Sequence, residues 1–486
     1  MSQIASKAFY ESELNDWVNK EKSAISLISS IGNLLYEKSI ELVLFRNPLV
    51  DQSVSEILSL HQSTGEVTGN KITVEDSSAL AKELVNINIA PSKIDIGKLA
   101  SEWSNEKNNF SSITEFLNSK LGAFKIEDNQ SFEPRDVVLY GFGRIGRLAA
   151  RELIKQAGKG QQLRLRAIIV RNNSKDQIKK RASLLRMDSV HGPFPGTIIE
   201  DYENKTLNIN GQLINIIQAS HPSEIDYTQY GINDALVIDN TGVFTDKEAL
   251  SNHLKSKGVK KVLLTAPGKE IPNIVYGINQ KEFDVADYDI FSAASCTTNA
   301  ISPILKVIED NYGVEKGHIE TVHAYTNDQN LLDNYHKKPR RGRSAAVNMV
   351  ITSTGAGKAV TKVIPSLAGK LTANAVRVPT PNGSLAIMNL SVNKEVNLED
   401  VNSMVKKYAM EGDLVNQIKF SIEEELVSND IIGNSCCSVF DSYATIVSED
   451  KKNVVLYVWY DNEFGYTKQV IRLAKHVAGV RRLLYY

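Results

Sequence analysis

Apolar positions follow two different periods along this chain, and the change between them divides it. In the first 130 or so residues Ala24, Leu27, Ile28, Ile31, Leu34 and Leu35 recur at the three-to-four spacing of one helix face, with Leu42 following. Glycine is scarce there, Pro48 and Pro91 punctuate the pattern, and an Asn-Asn-Phe-Ser-Ser stretch begins at Asn108. This predicts several amphipathic helices joined by short breaks, an all-α extension over residues 1–132 that ends in a polar linker near 126–134. From Arg135 the texture becomes short apolar strands alternating with helical stretches. Strands are expected at 136–140, 165–170, 235–239 and 261–265, with a helix running from the glycine-rich 141–147 to Ile154. Such alternation predicts an α/β doubly wound parallel sheet. Beyond Cys296 the alternation loosens and long apolar strands appear, as at 385–392 and 453–459, which predicts an α+β domain with a larger, mostly antiparallel sheet. The expected domains are thus 1–132, 133–295 (joined by a C-terminal helix over 464–486) and 296–463.

Bulk composition narrows the class. At 486 residues the chain can bury two or three cores. A formal net charge of -1 gives no general attraction to nucleic acid or anionic membrane, so neither is an expected partner. No run of about 18 apolar residues predicts a spanning helix, and the N-terminus lacks the basic-then-apolar layout of a signal peptide. Three cysteines, two of them adjacent at Cys436 and Cys437, cannot make a disulfide framework and suit a reducing cytoplasm. No metal-ligand spacing appears in the leading segment, and no metal is expected.

The candidate chemistry lies in three places. Gly141-Phe142-Gly143-Arg144-Ile145-Gly146 follows a predicted strand and opens a helix, with another strand about 20 residues on. Gly141 permits a tight turn, Gly143 lets the backbone approach a pyrophosphate, and Gly146 lets helix and strand pack closely. This is a Rossmann-type dinucleotide site with the diphosphate at the helix N-terminus. At the end of the next strand an acid would bind the adenosine ribose; the chain instead reads Val170-Arg171-Asn172-Asn173-Ser174-Lys175, with no carboxylate before Asp176. Ser174 can donate a hydrogen bond and Arg171 or Lys175 can face a phosphate, so NADP is favoured and NAD is the alternative. Cys296, set among small and hydroxylated residues in Ser295-Cys296-Thr297-Thr298-Asn299, precedes an apolar helical run; a thiol at a helix N-terminus is a candidate nucleophile. About 27 residues later His323 ends a predicted strand and can shuttle the thiol's proton. Arg340, Arg341, Arg343, Arg377 and the hydroxyls of 352–354 are residue types that bind phosphate oxygens.

The runs 141–147, 295–299, 321–329, 353–358, 377–382 and 459–466 together resemble phosphorylating glyceraldehyde-3-phosphate dehydrogenase, in that family's order and over about 350 residues from Arg135 to the C-terminus. The leading helical segment lies outside the resemblance. The resemblance implies that Cys296 attacks the aldehyde of glyceraldehyde 3-phosphate, that His323 activates the thiol, and that hydride transfer leaves a thioester which inorganic phosphate cleaves to 1,3-bisphosphoglycerate. It implies Thr326 and Arg377 as binders of the substrate's phosphate, and Ser295, Thr297, Thr354 and Gly355, with Arg341 nearby, as binders of inorganic phosphate. Arg144 and Ile145 would hold the cofactor diphosphate, Thr241, Gly242 and Thr265 would line the cofactor pocket, and Asn462 would hold the nicotinamide carboxamide. It also implies a homotetramer, with segment 325–350 near a neighbouring subunit's cofactor.

Four positions depart from the family's pattern. Tyr140 stands where an Asn usually precedes the glycine motif, a change expected to alter packing around Asn462. Asn173-Ser174 replaces the ribose-binding acid, Asn334-Tyr335 replaces a Leu-Pro common in NAD-specific members, and Ala300 replaces a frequent second cysteine. Two other readings follow from the same residues: an erythrose-4-phosphate dehydrogenase, which the phosphate-binding set argues against, and a scaffold acting through the extension.

Overall fold

The computed structural model describes residues 7–68, 72–128 and 132–486. It divides the chain into two compact units. One comprises 1–133 with 158–161 and 481–486; the other comprises 134–157 and 162–480.

Among the described residues, the first unit is built on five α-helices, Lys7–Lys38, Val54–Thr68, Val74–Leu84, Ile96–Glu106 and Ile113–Lys120. Four of them start where a short polar side chain accepts a free backbone N–H. Ser53 caps Glu56, Thr73 caps Asp76, Asp95 caps Gly97 and Lys98, and Ser112 caps Glu115. Leu27, Leu34, Leu80, Leu84, Leu99, Phe116 and Leu117 meet in one core. The helical character is as expected, but the unit is not purely helical. It holds a four-stranded sheet in the order Asn47–Pro48, Glu41–Leu44, Ser92–Asp95, Leu483–Tyr485. Glu41–Leu44 is buried on both faces, so Leu42, Val43 and Leu44 run apolar in succession in place of alternation. Its hairpin turn places Phe45 (φ 41°) and Arg46 (φ 70°) in the left-handed region. The Asp95 carboxylate holds that turn by accepting from the N–H of Phe45 (2.7 Å) and of Arg46 (3.0 Å).

The fourth strand corrects the expected helix over 464–486. That helix spans Phe464–Val477, and the last residues enter the first unit's sheet, parallel to Ser92–Asp95. Arg482 is buried there, donating to Glu41 (3.1 Å) and Ser39 (3.1 Å), while Lys98 donates to the carbonyl of Tyr486 at 2.5 Å. Of the expected linker, 129–131 lies outside the described residues.

The second unit carries two eight-stranded sheets. In the first, Ile290–Ser292, Val259–Leu264, Ala235–Asp239, Arg135–Tyr140, Leu163–Val170 and Gln212–Gln218 run parallel, and Thr206–Ile209 and Ile198–Asp201 extend the edge antiparallel. This is the expected Rossmann-type sheet, with helices Arg144–Lys155 and Lys175–Arg186 following its first two strands. The second sheet is mostly antiparallel. Its central strands Val314–Ala324, Ser384–Val392 and Asn453–Tyr460 pack under helix Cys296–Tyr312 through Ile301, Ile304, Leu305, Met388 and Leu456. No helix among the described residues is long and apolar enough to cross a membrane.

Candidate active site

Cys296 is the first residue of helix Cys296–Tyr312, and its neighbour Ser295 is the cap, accepting the N–H of Thr298 at 3.0 Å. Pro303 inside that helix has no N–H for the carbonyl of Asn299; the thiol of Cys437 donates to that oxygen at 3.2 Å instead. Cys437 is therefore a structural residue. The Cys296 Sγ lies 3.7 Å from His323 Nε2. Burial pushes the thiol up, and the charge of Arg377 and hydrogen bonding with Thr297 oppose that rise.

His323 and Arg377 sit on neighbouring parallel strands in direct register, which brings together two residues far apart in sequence. The Nη1 of Arg377 lies 2.6 Å from His323 Nδ1 and donates to the carbonyl of Ala324 at 2.8 Å. His323 Nδ1 is itself 2.7 Å from that carbonyl. Burial, then the Arg377 charge, lowers the imidazole to about 3. The ring is consequently neutral at physiological pH. With its proton on Nδ1, it presents the Nε2 lone pair to the sulfur.

A cavity of about 340 Å³ opens over this pair. Ser295, Thr297, Arg341, Thr354, Gly355 and Arg377 line it, as does Lys338. Thr326 is not among the lining residues; its carbonyl accepts from the N–H of Gln329 at 2.9 Å. Arg341 donates to Thr352 Oγ1 (3.0 Å) and also pairs with Asp328, so part of its charge is already engaged. Tyr460 is a residue to which sequence reasoning gave no role. Its hydroxyl is 3.1 Å from Thr297 Oγ1, and its ring stands edge-on to His323 at 5.9 Å. The period-2 burial of Asn453–Tyr460 turns Tyr460 inward, but the strand is apolar or aromatic at nearly every position, so no sequence pattern marked it.

The dinucleotide residues lie at the strand ends of the first sheet. At Gly141 (φ 95°) an added Cβ would come within 2.9 Å of the Thr241 methyl, and at Gly146 within 2.5 Å of the Gly141 carbonyl. At Gly143 it would meet nothing within 4 Å. This is the contrast expected if two glycines serve backbone packing and the third keeps space for a ligand at the N-terminus of Arg144–Lys155. Phe142 lies between Gly141 and Gly143, and Ile145 is in the first turn of the helix. The Arg144 side chain is committed elsewhere, to Asp188 (3.1 Å) and Glu463, leaving its backbone N–H for an anion.

Asp239 ties Thr241 and Thr265 together. Its carboxylate accepts from Thr241 N and Oγ1 (2.8 and 2.7 Å), and its carbonyl accepts from Thr265 N and Oγ1 (both 3.0 Å). Gly242 follows at φ 66°. The Asn462 amide oxygen accepts from Ser384 Oγ at 2.8 Å, and the flanking Asp461 is held by His191 (2.9 Å) and Asn382 (2.8 Å). Tyr140 packs edge-on against His253 at 4.7 Å. Asn173 turns inward, donating to the carbonyl of Ile216 at 3.0 Å, whereas Ser174 precedes helix Lys175–Arg186 without a side-chain cap bond.

Comparison with known proteins agrees with this geometry. A family model described as the glyceraldehyde 3-phosphate dehydrogenase NAD binding domain matches residues 135–247, and one described as the C-terminal domain matches residues 295–462. A protein of Pseudomonas aeruginosa named glyceraldehyde-3-phosphate dehydrogenase-like protein is 48% identical over 458 residues, covering 93% of this chain and 98% of its own length. That alignment takes in most of the extension. Glyceraldehyde-3-phosphate dehydrogenase of Priestia megaterium is 42% identical over 340 residues, covering 70% of this chain and 97% of its own. Glyceraldehyde-3-phosphate dehydrogenase 1 of Bacillus subtilis is 41% identical over 343 residues, covering 70% of this chain and 98% of its own.

Proposed function

The chain belongs to the glyceraldehyde-3-phosphate dehydrogenase family, and from that premise we propose that it oxidises glyceraldehyde 3-phosphate in the phosphorylating manner, through a thioester on Cys296. The observation carrying this reading is the 3.7 Å approach of Cys296 Sγ and His323 Nε2 on a cavity lined by two arginines and a lysine.

The Cys296 sulfur attacks the aldehyde carbon as its proton passes to His323 Nε2 and from there to the new alkoxide, giving a thiohemiacetal. On oxidation of that adduct His323 Nε2 takes up the hydroxyl proton as hydride leaves the carbon. A bound dinucleotide would supply the acceptor for the hydride, with its diphosphate at the space kept by Gly143 and its nicotinamide oriented by Asn462. The resulting thioester is cleaved by phosphate held at Ser295, Thr297, Thr354 and Gly355, and the acyl phosphate leaves with Cys296 restored as a thiol. Arg377, which lines the cavity, and Thr326 take the phosphate of the substrate. A phosphate dianion on Arg377 also offsets the cation that depresses His323. The histidine therefore becomes a better base when substrate is bound.

NADP is the favoured dinucleotide, because Ser174, Arg171 and Lys175 stand where an acid would otherwise exclude a 2′-phosphate. NAD is the alternative. Assembly as a homotetramer is supported by the exposed apolar side chains Leu331, Leu332, Tyr335, Val347 and Met349 on segment 325–350.

The deciding experiment is steady-state oxidation of glyceraldehyde 3-phosphate with and without inorganic phosphate, using NADP and then NAD. Phosphate-dependent turnover supports the reading, and a higher kcat/KM with NADP supports the cofactor preference. Turnover of erythrose 4-phosphate without need of phosphate, in the absence of triose oxidation, would overturn it.

A further inference from the structure

We propose that the first half of helix Lys7–Lys38 pairs antiparallel with the same segment of a second copy of this chain, independently of the catalytic reading. Only the second half of that helix is packed into its own domain: its buried residues are Ala24, Leu27, Ser30, Ile31, Leu34 and Leu35. The first half nevertheless carries large apolar side chains. Tyr10 is 67% exposed, Leu14 49%, Trp17 48%, Val18 37% and Ile25 59%. At 3.6 residues per turn these five fall in one stripe about 100° wide, rotated roughly 100° round the helix from the buried face. The stripe adjoins the buried face along the line of Trp17 and Leu35 and turns away from it over the rest of its width. Such a face on a helix this long is a docking surface in search of a partner.

The charges beside the stripe specify the partner. One flank carries Glu11 and Lys22, the other Glu13 and Lys20. Both pairs are symmetric about the same point, midway between Asp16 and Trp17. In an antiparallel pair of helices like flanks face each other, so Glu11 of one copy meets Lys22 of the other, and Glu13 meets Lys20, four ion pairs in all. A parallel pair would set Glu against Glu and Lys against Lys. About that centre the apolar residues interleave: the two Trp17 side chains meet at the middle, Val18 and Leu14 flank them, and Tyr10 lies near Ile25 at each end. Glu21, the one carboxylate within the stripe, is already engaged by the Trp17 indole N–H at 3.0 Å. An anionic lipid surface is a poorer match, because residues 7–25 hold three lysines against four carboxylates.

The test uses the full-length chain with single added cysteines, Val18→Cys and Tyr10→Cys, treated with a short bis-maleimide; the parent chain, with its three native cysteines, is the control. Antiparallel pairing puts the two copies of position 18 about 4.5 Å apart along the axis and those of position 10 about 20 Å apart. Only V18C should give a covalent dimer. Adding E11K/E13K should cut the linked fraction about tenfold by turning four attractions into repulsions, and adding K20E/K22E as well should restore it. A general surface effect of the substitutions could not produce that restoration. Equal linking at both positions, no linking at position 18, failure of the fourfold variant to recover, or a stripe that instead sediments with anionic lipid vesicles would each overturn the proposal.

Discussion

A methyl group placed on Gly143 would touch nothing of the protein, while one placed on Gly141 or Gly146 would strike backbone or the Thr241 side chain. The three glycines of one motif therefore separate into two roles that mutation can distinguish. Gly143→Ala is expected to fold with unchanged thermal stability and to raise the Kd for dinucleotide about tenfold, roughly 1.4 kcal/mol. Calorimetric titration beside a melting curve reads both; a large fall in Tm with normal binding would reverse the assignment. At the reacting centre, Cys296→Ser should abolish turnover, and His323→Asn should lower kcat about 10²–10⁴-fold. Near-normal activity of the serine variant would remove Cys296 from the chemistry. Arg377→Leu should raise KM for the triose phosphate more than KM for the dinucleotide. Cys296 and His323 were readable as candidates because each sits in a short, unusual run. The contact between His323 and Arg377 was not readable, since it depends on strand register, which no local pattern of either segment encodes. Thr326 illustrates the reverse: a motif named it, yet it is not among the residues that line the cavity.

At the level of elements, the helix that begins at Cys296 is the instructive case. Its Pro303 leaves the Asn299 carbonyl without a helical donor, and the Cys437 thiol fills the gap from a neighbouring loop. Cys437→Ala should cost about 1–3 kcal/mol in urea unfolding, through a small cavity and an unsatisfied buried carbonyl. Cys437→Ser retains a donor and should cost less; the same loss in both variants would show that the hydrogen bond contributes nothing. The strands of the two large sheets were largely legible, because helices and strands alternate in the first and long apolar runs mark the second. The small sheet was not. Glu41–Leu44 follows a helix directly and is buried along its whole length, so Leu42-Val43-Leu44 simply continues a helical apolar pattern. Leu483–Tyr485 is three residues long and follows a true helix, which is why it reads as that helix's tail.

Across the whole molecule, the change of texture near Arg135 lies close to the boundary between the two compact units, and the Pseudomonas aeruginosa relative, aligned over 93% of this chain, matches through most of both. What texture could not show is that Leu483–Tyr485, far along the chain, pairs within the appended unit. Removing 481–486 takes away the strand beside Ser92–Asp95 and the Arg482 guanidinium that meets buried Glu41. Hydrogen exchange over 41–44 and 92–95 is expected to accelerate strongly in that truncation; unchanged protection would mean the sheet stands on three strands. Arg482→Met separates the charge from the strand and should cost about 3 kcal/mol, the scale of a broken buried ion pair.

That last strand also sets an order of events during synthesis. The helices of the appended unit are translated before the two large sheets, yet its sheet needs Leu483–Tyr485, which follows both of them in the chain. The nascent segment must therefore wait, with one strand edge open, while the two large sheets are made. Completion of the earlier-made unit depends on a strand made after the catalytic sheets, and a chain interrupted before Leu483 carries an unclosed strand edge beside Ser92–Asp95.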